Sequence, residues 1–270
     1  MSKNIGISIL SGKGGVGKTN IALNLGYVLQ SLEQKVVILD CDLGLANLNI
    51  LLGLEPRKNI QDVLLGDSKP EEILIPVEER LDIIASTSGV LDILDLEEDI
   101  QFMVEEKLQP LLSTYDFILL DLGAGIGAST LAFASSTPLR IIVITPEPTS
   151  LTDSYAVIKI LKNNYGLKNF FIVVNSVNSE QEAKLSFQRL NTACENFLGV
   201  SLFYLGCIHY DEKVSKAIRE QKPFQKLYPD SQAALDILKI GKKLLRLIES
   251  SNSIKRGLSL VEGLNKRKET

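Results

Sequence analysis

The sequence predicts an α/β protein with a doubly wound, mostly parallel sheet and helices on both faces. Three observations carry that reading. Most strand candidates are continuous apolar runs, such as Val36-Val37-Ile38-Leu39 and Ile141-Ile142-Val143-Ile144, without in/out alternation. Such a run suits a strand buried on both faces, as in a parallel sheet covered by helices. Segments with 3.6-residue apolar spacing separate these runs, and strand–helix alternation with right-handed crossovers builds doubly wound sheets. A glycine-rich turn follows the first strand, at the carboxyl end where such sheets gather their chemistry.

Taken in order, strands are expected at Ile5–Leu10, Val36–Asp40, Leu81–Ser86, Phe117–Asp121, Arg140–Thr145, Phe170–Asn175 and Leu202–Ile208. Helices are expected at Thr19–Leu32, Ile100–Leu112, Leu151–Asn164, Glu180–Phe197, Glu212–Glu220 and Gln232–Glu249. Thr19–Leu32 carries Ile21, Leu25, Val28 and Leu29 on one side, and Ile100–Leu112 carries Ile100, Met103, Val104, Leu108 and Leu111. Thr149 or Ser150 is the expected cap of the helix after the Arg140–Thr145 strand. No repeat, linker or low-complexity tract interrupts residues 1–249, which read as one domain followed by a basic tail over 250–270.

Composition narrows the function classes. The chain has 270 residues, 45% hydrophobic and 23% charged, which is ordinary for a globular core and argues against disorder. Its net charge is −4 and its pI about 5.3, which counts against a nucleic-acid binder. Cys41, Cys194 and Cys207 are scattered, with no CxxC pair to suggest a disulfide framework or a zinc or iron–sulfur site. No apolar run approaches the roughly 18 residues that span a bilayer, and a motif begins by residue 12, which leaves no room for a secretory signal. A cytoplasmic protein is expected.

The turn after the first strand reads Gly12-Lys13-Gly14-Gly15-Val16-Gly17-Lys18-Thr19 and fits GxxxxGK[ST]. Glycines let successive N–H groups turn inward around an anion, and the following helix presents its positive end to it. Gly12, Gly14, Gly15, Val16, Gly17, Lys18, Thr19 and Asn20 are therefore the phosphate-binding candidates. Lys18 is expected on the β- and γ-phosphates, and the Thr19 hydroxyl on Mg²⁺. The strand Phe117–Asp121 closes on an acid, the pattern that sets one carboxylate beside the metal. Gly125, in the turn that follows, is expected to donate its N–H to the γ-phosphate and sense the triphosphate. Asn175 is the candidate adenine reader, because an amide both donates and accepts. No guanine motif occurs, so ATP with Mg²⁺ is the expected ligand. Asp40 and Asp42 are expected to point to opposite sides of the chain, one toward Mg²⁺ and the other toward solvent or an attacking water.

Lys13, the second lysine of the loop, has no task in cradling phosphate within one subunit. The run Lys13-Gly-Gly-Val-Gly-Lys18-Thr19 resembles the deviant phosphate loop of the MinD/ParA family of ATPases. That resemblance implies that Lys13 crosses a dimer interface to the facing subunit's nucleotide. It also implies that Asp42 positions the attacking water and that Asp40 lies near the Mg²⁺ shell. Lys13, Lys18 and Asp42 are thus the catalytic candidates, and Thr19, Asp40 and Asp121 the metal candidates. Asp121-Leu-Gly-Ala-Gly-Ile126, with Gly123 where MinD usually has proline, is similar to the flagellar (FlhG) branch. So are the stretches from Asp42 to Leu54, from Thr145 to Ala156 and from Tyr210 to Phe224. MinD commonly has Arg after the base-reading Asn, where this chain has Ser176.

The resemblance implies slow, partner-stimulated ATP hydrolysis by an ATP-dependent homodimer. Its implied partners are an FlhF-like GTPase, C-ring proteins or a flagellar transcription regulator. The alternatives are ParA- or MinD-type partitioning of DNA or of the division site, and a metabolic enzyme of the same superfamily. In the tail, residues 254–270 hold five Lys/Arg against two Glu, and Ile254, Leu258, Val261 and Leu264 form one helical stripe. That combination suits peripheral binding to an anionic membrane.

Overall fold

The computed structural model describes residues 4–42, 48–85 and 106–250. The expected helix residues 100–105 and the basic tail beyond Ser250 lie outside the described residues. Eight strands form one sheet in the order β3-β4-β2-β5-β1-β6-β7-β8. They are β1 Ile5–Leu10, β2 Val36–Cys41, β3 Leu74–Glu78, β4 Leu81–Ile84, β5 Phe117–Leu122, β6 Leu139–Ile144, β7 Phe170–Val177 and β8 Phe203–His209. All neighbours run parallel except β3, which pairs antiparallel with β4 at the sheet margin.

The helices are α1 Lys18–Ser31, α2 Leu48–Leu52, α3 Ile60–Leu65, α4 over 106–112, α5 Ala128–Ser136, α6 Pro148–Tyr165, α7 Glu180–Leu198, α8 Glu212–Arg219, α9 Phe224–Leu227 and α10 Gln232–Ser250. A short 3₁₀ turn covers Pro70–Ile73. Period-two geometry sends successive strand residues to opposite faces. Ile7 and Ile9 of β1 accordingly pack in one core with α1 and α10, while Leu10 joins the other core with α4, α5, α6 and α7. Both faces are covered, which is why the central strands carry no alternation.

The short α2, α3, α9 and 3₁₀ turn were not expected, nor were β3 and α5. β3 is five residues with Pro76 in the middle, and a proline argues against a strand unless it lies on an edge. α5 is buried nearly all round, through Thr130, Leu131, Ala132, Phe133 and Ala134, so no apolar stripe announces it. At α6 the cap expectation fails. The helix begins at Pro148 with Glu147 in the cap position, and Thr149 and Ser150 lie inside the first turn. The Ser150 hydroxyl instead accepts the Thr145 N–H at 3.0 Å, closing the turn from β6.

Candidate nucleotide-binding site

β1 lies between β5 and β6, where the strand order reverses, and the glycine-rich loop leaves its carboxyl end. Two close approaches explain the loop's glycines. A Cβ on Gly12 would meet the Asp153 backbone carbon at 2.2 Å, so α6 abuts the loop. Gly17 has φ +88°, and a Cβ there would meet Asn175 Nδ2 at 2.5 Å. That Nδ2 donates to the Val16 carbonyl at 2.8 Å, which ties the loop to β7.

Two cavities flank the loop and share Gly15, Gly17 and Asn20. One is also lined by Lys18, Thr19, Asp42 and Ala124. The other runs to the ends of β7 and β8, where Asn175, Ser176, His209 and Tyr210 line it. The first suits phosphates and the second a base.

Inside the phosphate cavity, Lys18 Nζ donates to Asp121 Oδ1 at 2.6 Å, with both residues buried. Burial pushes the Asp121 carboxyl above its usual range, and the Lys18 ammonium opposes that shift. Asp121 Oδ2 is buried and has no hydrogen bond among the described residues. A buried, half-satisfied carboxylate beside a lone ammonium is costly unless a ligand completes it. Phosphate oxygens for Lys18, and a hydrated cation for Asp121, would do so.

Asp40 stands opposite Asp121 in the β2–β5 register. Its Oδ1 accepts the Asp42 N–H at 3.1 Å and its Oδ2 the Leu48 N–H at 3.2 Å. Asp40 thus ties both Asp42 and the start of α2 to the end of β2. Residues two apart share a face of a strand, so the pleat does not send Asp40 and Asp42 to opposite sides. β2 ends at Cys41, and the half-buried Asp42 lines the phosphate cavity from beyond that end. Its Oδ1 lies 3.6 Å from where a Cβ of Gly123 would sit, an ordinary contact, so Asp42 adjoins the turn after β5.

The Gly125 N–H donates to the Ser11 carbonyl at 2.9 Å, so it reaches a phosphate only when that bond opens. Asn175 does not close its strand, since β7 continues to Val177. Thr19 lines the phosphate cavity beside Lys18, and the Asn20 carboxamide accepts from Asn24 at 2.7 Å. Among the described residues no three His, Cys, Asp or Glu side chains converge on a metal position. The oxygen donors present, Thr19, Asp40 and Asp121, suit Mg²⁺, which takes one or two carboxylates together with substrate phosphates and water.

Lys13 leans away from this cavity. Its Nζ donates to Glu147 Oε2 at 2.8 Å and to Thr149 Oγ1 at 3.4 Å, at the exposed mouth of the site. The Glu147 carboxylate holds the ammonium's pKa above its ordinary value. Sequence reasoning missed Glu147, as well as His209 and its buried partner Asp236. The Gly12–Asp153 approach likewise joins segments about half the chain apart, and no local spacing signals it.

A phosphate loop on the central strand, with a buried acid on the adjacent strand and a helix opening at Lys18, defines a P-loop nucleotide hydrolase. Within that class the chain belongs to the CobQ/CobB/MinD/ParA nucleotide-binding family, whose model matches residues 7–224. It is 35% identical over 238 residues to the antiactivator FleN of Pseudomonas aeruginosa, spanning 88% of this chain and 85% of that protein. It is 37% identical over 247 residues to the flagellum site-determining protein YlxH of Helicobacter pylori, spanning 90% and 83%. Among solved structures it is similar to the septum site-determining protein MinD of Pyrococcus horikoshii, complexed with Mg-ADP. That likeness has a TM-score of 0.72 at 26% identity, over 90% of this chain and 96% of that one. The chain is an ATP-binding and ATP-hydrolysing member of the family, related both to flagellar regulators and to division and partitioning ATPases.

Proposed function

We propose that the protein is an ATP-driven dimerisation switch that hydrolyses ATP slowly and regulates flagellar number or placement. The observation that carries this reading is the Lys13–Glu147 pair at the mouth of the site. A lysine in a phosphate loop that binds a carboxylate of its own chain, outside the cavity, is available to a second molecule. In the switch, ATP draws two copies face to face and each Lys13 leaves Glu147 for the opposite triphosphate. Lys18 and Thr19 hold the phosphates and Mg²⁺ in cis, Asp121 and Asp40 support the hydrated metal, and Asp42 orients the attacking water. Gly125 leaves Ser11 as the γ-phosphate arrives, and that exchange makes the turn after β5 a sensor. Hydrolysis here is positioning and charge stabilisation, with no covalent intermediate.

Light scattering on an Asp42→Ala variant tests the switch. The expected result is a monomer with ADP and a dimer with ATP, and a mass independent of nucleotide would overturn it. Lys13→Ala should abolish the dimer and keep nucleotide binding, whereas Lys18→Ala should lose both. The flagellar assignment rests on the likeness to FleN and YlxH. Its partners would be an FlhF-like GTPase, C-ring proteins or a flagellar transcription regulator. Deleting the gene should change flagellar count or position, and normal flagellation would refute the assignment. Among the described residues no helix is long and apolar enough to cross a membrane. Membrane contact would be peripheral, through the basic stripe of residues 254–270, and co-sedimentation with anionic vesicles in ATP but not ADP would report it.

A further inference from the structure

His209 is the only histidine in the 270 residues. It ends β8 and lines the base-side cavity with Asn175, Ser176 and Tyr210. We propose that His209 reads the six-substituent of the purine and selects adenine, with Asp236 of α10 as the residue that positions it.

The hydrogen bonds around Asp236 set the direction of the ring. Asp236 is 3% exposed, and its Oδ1 accepts from Gln232 Nε2 at 2.9 Å and Lys239 Nζ at 3.4 Å. Its Oδ2 accepts the His209 backbone N–H at 3.1 Å and lies 2.6 Å from His209 Nδ1. An ionised carboxylate only accepts, so Nδ1 carries the ring proton, and in the neutral imidazole Nε2 is then an acceptor. The ring is 21% exposed, and Nε2 makes no hydrogen bond among the described residues.

On the same cavity lining, Asn175 Nδ2 gives one N–H to the Val16 carbonyl, and its second N–H and its Oδ1 can serve either role. With its proton on Nδ1, the His209 ring thus offers Nε2 as the one committed acceptor of this lining. The hydroxyls of Ser176 and Tyr210 serve either role and do not discriminate. The exocyclic amine of adenine supplies two N–H donors to such a wall. The O6 of guanine or hypoxanthine brings an acceptor against the His209 acceptor, and a site built to pair a donor rejects the analogue lacking it.

The inference rests on the cleft binding nucleotide and is independent of dimerisation, so it is tested on the ADP-bound monomer. Titration calorimetry of the full chain with Mg-ADP and Mg-IDP should give a preference for ADP of about tenfold or more. In His209→Leu that preference should fall severalfold, chiefly through weaker ADP binding, with IDP affinity nearly unchanged. An equal preference in wild type and variant overturns the proposal, whereas failure of wild type to bind either nucleotide would instead sink the nucleotide reading beneath it. With a single histidine, ¹⁵N ring resonances give a second measure. The Nδ1–H tautomer is expected in the free protein, with Nε2 shifting on addition of ADP and much less with IDP. A resonance indifferent to both overturns the proposal. Asp236→Asn should change the tautomer signal and the ADP/IDP ratio together, which a purely structural role would not do.

Discussion

In the proposed dimerisation switch, one exposed carboxylate, Glu147, holds the resting state. It competes with a second molecule's nucleotide for Lys13, so Glu147→Gln should lower the ATP concentration needed for dimerisation. The shift should be modest, a few-fold, because solvent-exposed ion pairs contribute little. Analytical ultracentrifugation across an ATP series measures it, and a variant that dimerises less readily would refute the competition. The candidate phosphate loop was legible in the sequence because eight consecutive positions, Gly12 to Thr19, carry its pattern. Glu147, His209 and Asp236 were not, since each acts through a partner distant in the chain or through burial that the fold alone creates.

At the scale of single elements, the join between α5 and β6 depends on one buried arginine. Arg140 Nη1 donates to the carbonyls of Ala134, at 3.1 Å, and Thr137, while Nη2 donates to Pro138 at 3.2 Å and Nε to Asn169 at 3.3 Å. Burial pulls the guanidinium pKa down to about 10. No carboxylate pairs with it in these contacts, and it donates to carbonyls around the turn, of which Ala134's also accepts from Thr137 Oγ1 at 3.3 Å. A lysine ammonium is a point donor and cannot span them. Arg140→Lys should therefore destabilise the protein by about 2 kcal/mol in urea unfolding, through buried carbonyls left without donors. An unchanged midpoint would show that water or a shifted turn replaces them. The same region escaped sequence reading for a related reason. α5 is built of small residues and buried all round, so its helical period leaves no trace in hydropathy, whereas α7 and α10 bury one face each and were legible.

For the whole molecule, a mostly parallel sheet with two covered faces followed from continuous apolar strands, whereas the strand order did not. The antiparallel margin did not, since a five-residue strand with a central proline resembles a loop. The depth of the two cores has a consequence at high pH. Burial raises the phenols of Tyr27, Tyr115 and Tyr204 above their ordinary value near 10, with Asp82 adding to the shift at Tyr115. The folded protein therefore keeps protons that the unfolded chain releases. The stability from these phenols is complete below pH 10 and declines as pH rises beyond it. Urea midpoints should fall between about pH 10 and 12 by this account, and Tyr115→Phe should flatten the decline. A midpoint constant over that range would contradict the linkage.

Both margins of the sheet are irregular. β3 carries Pro76 and a register shift against β4, and β8 shifts twice against β7. Ladders broken in this way make poor templates for another chain's strand. Self-association that must switch on and off cannot share the molecule with edges that zip irreversibly into fibrils. In the proposed switch, such roughened flanks would confine reversible pairing to the one surface where a small diffusible molecule sets its timing.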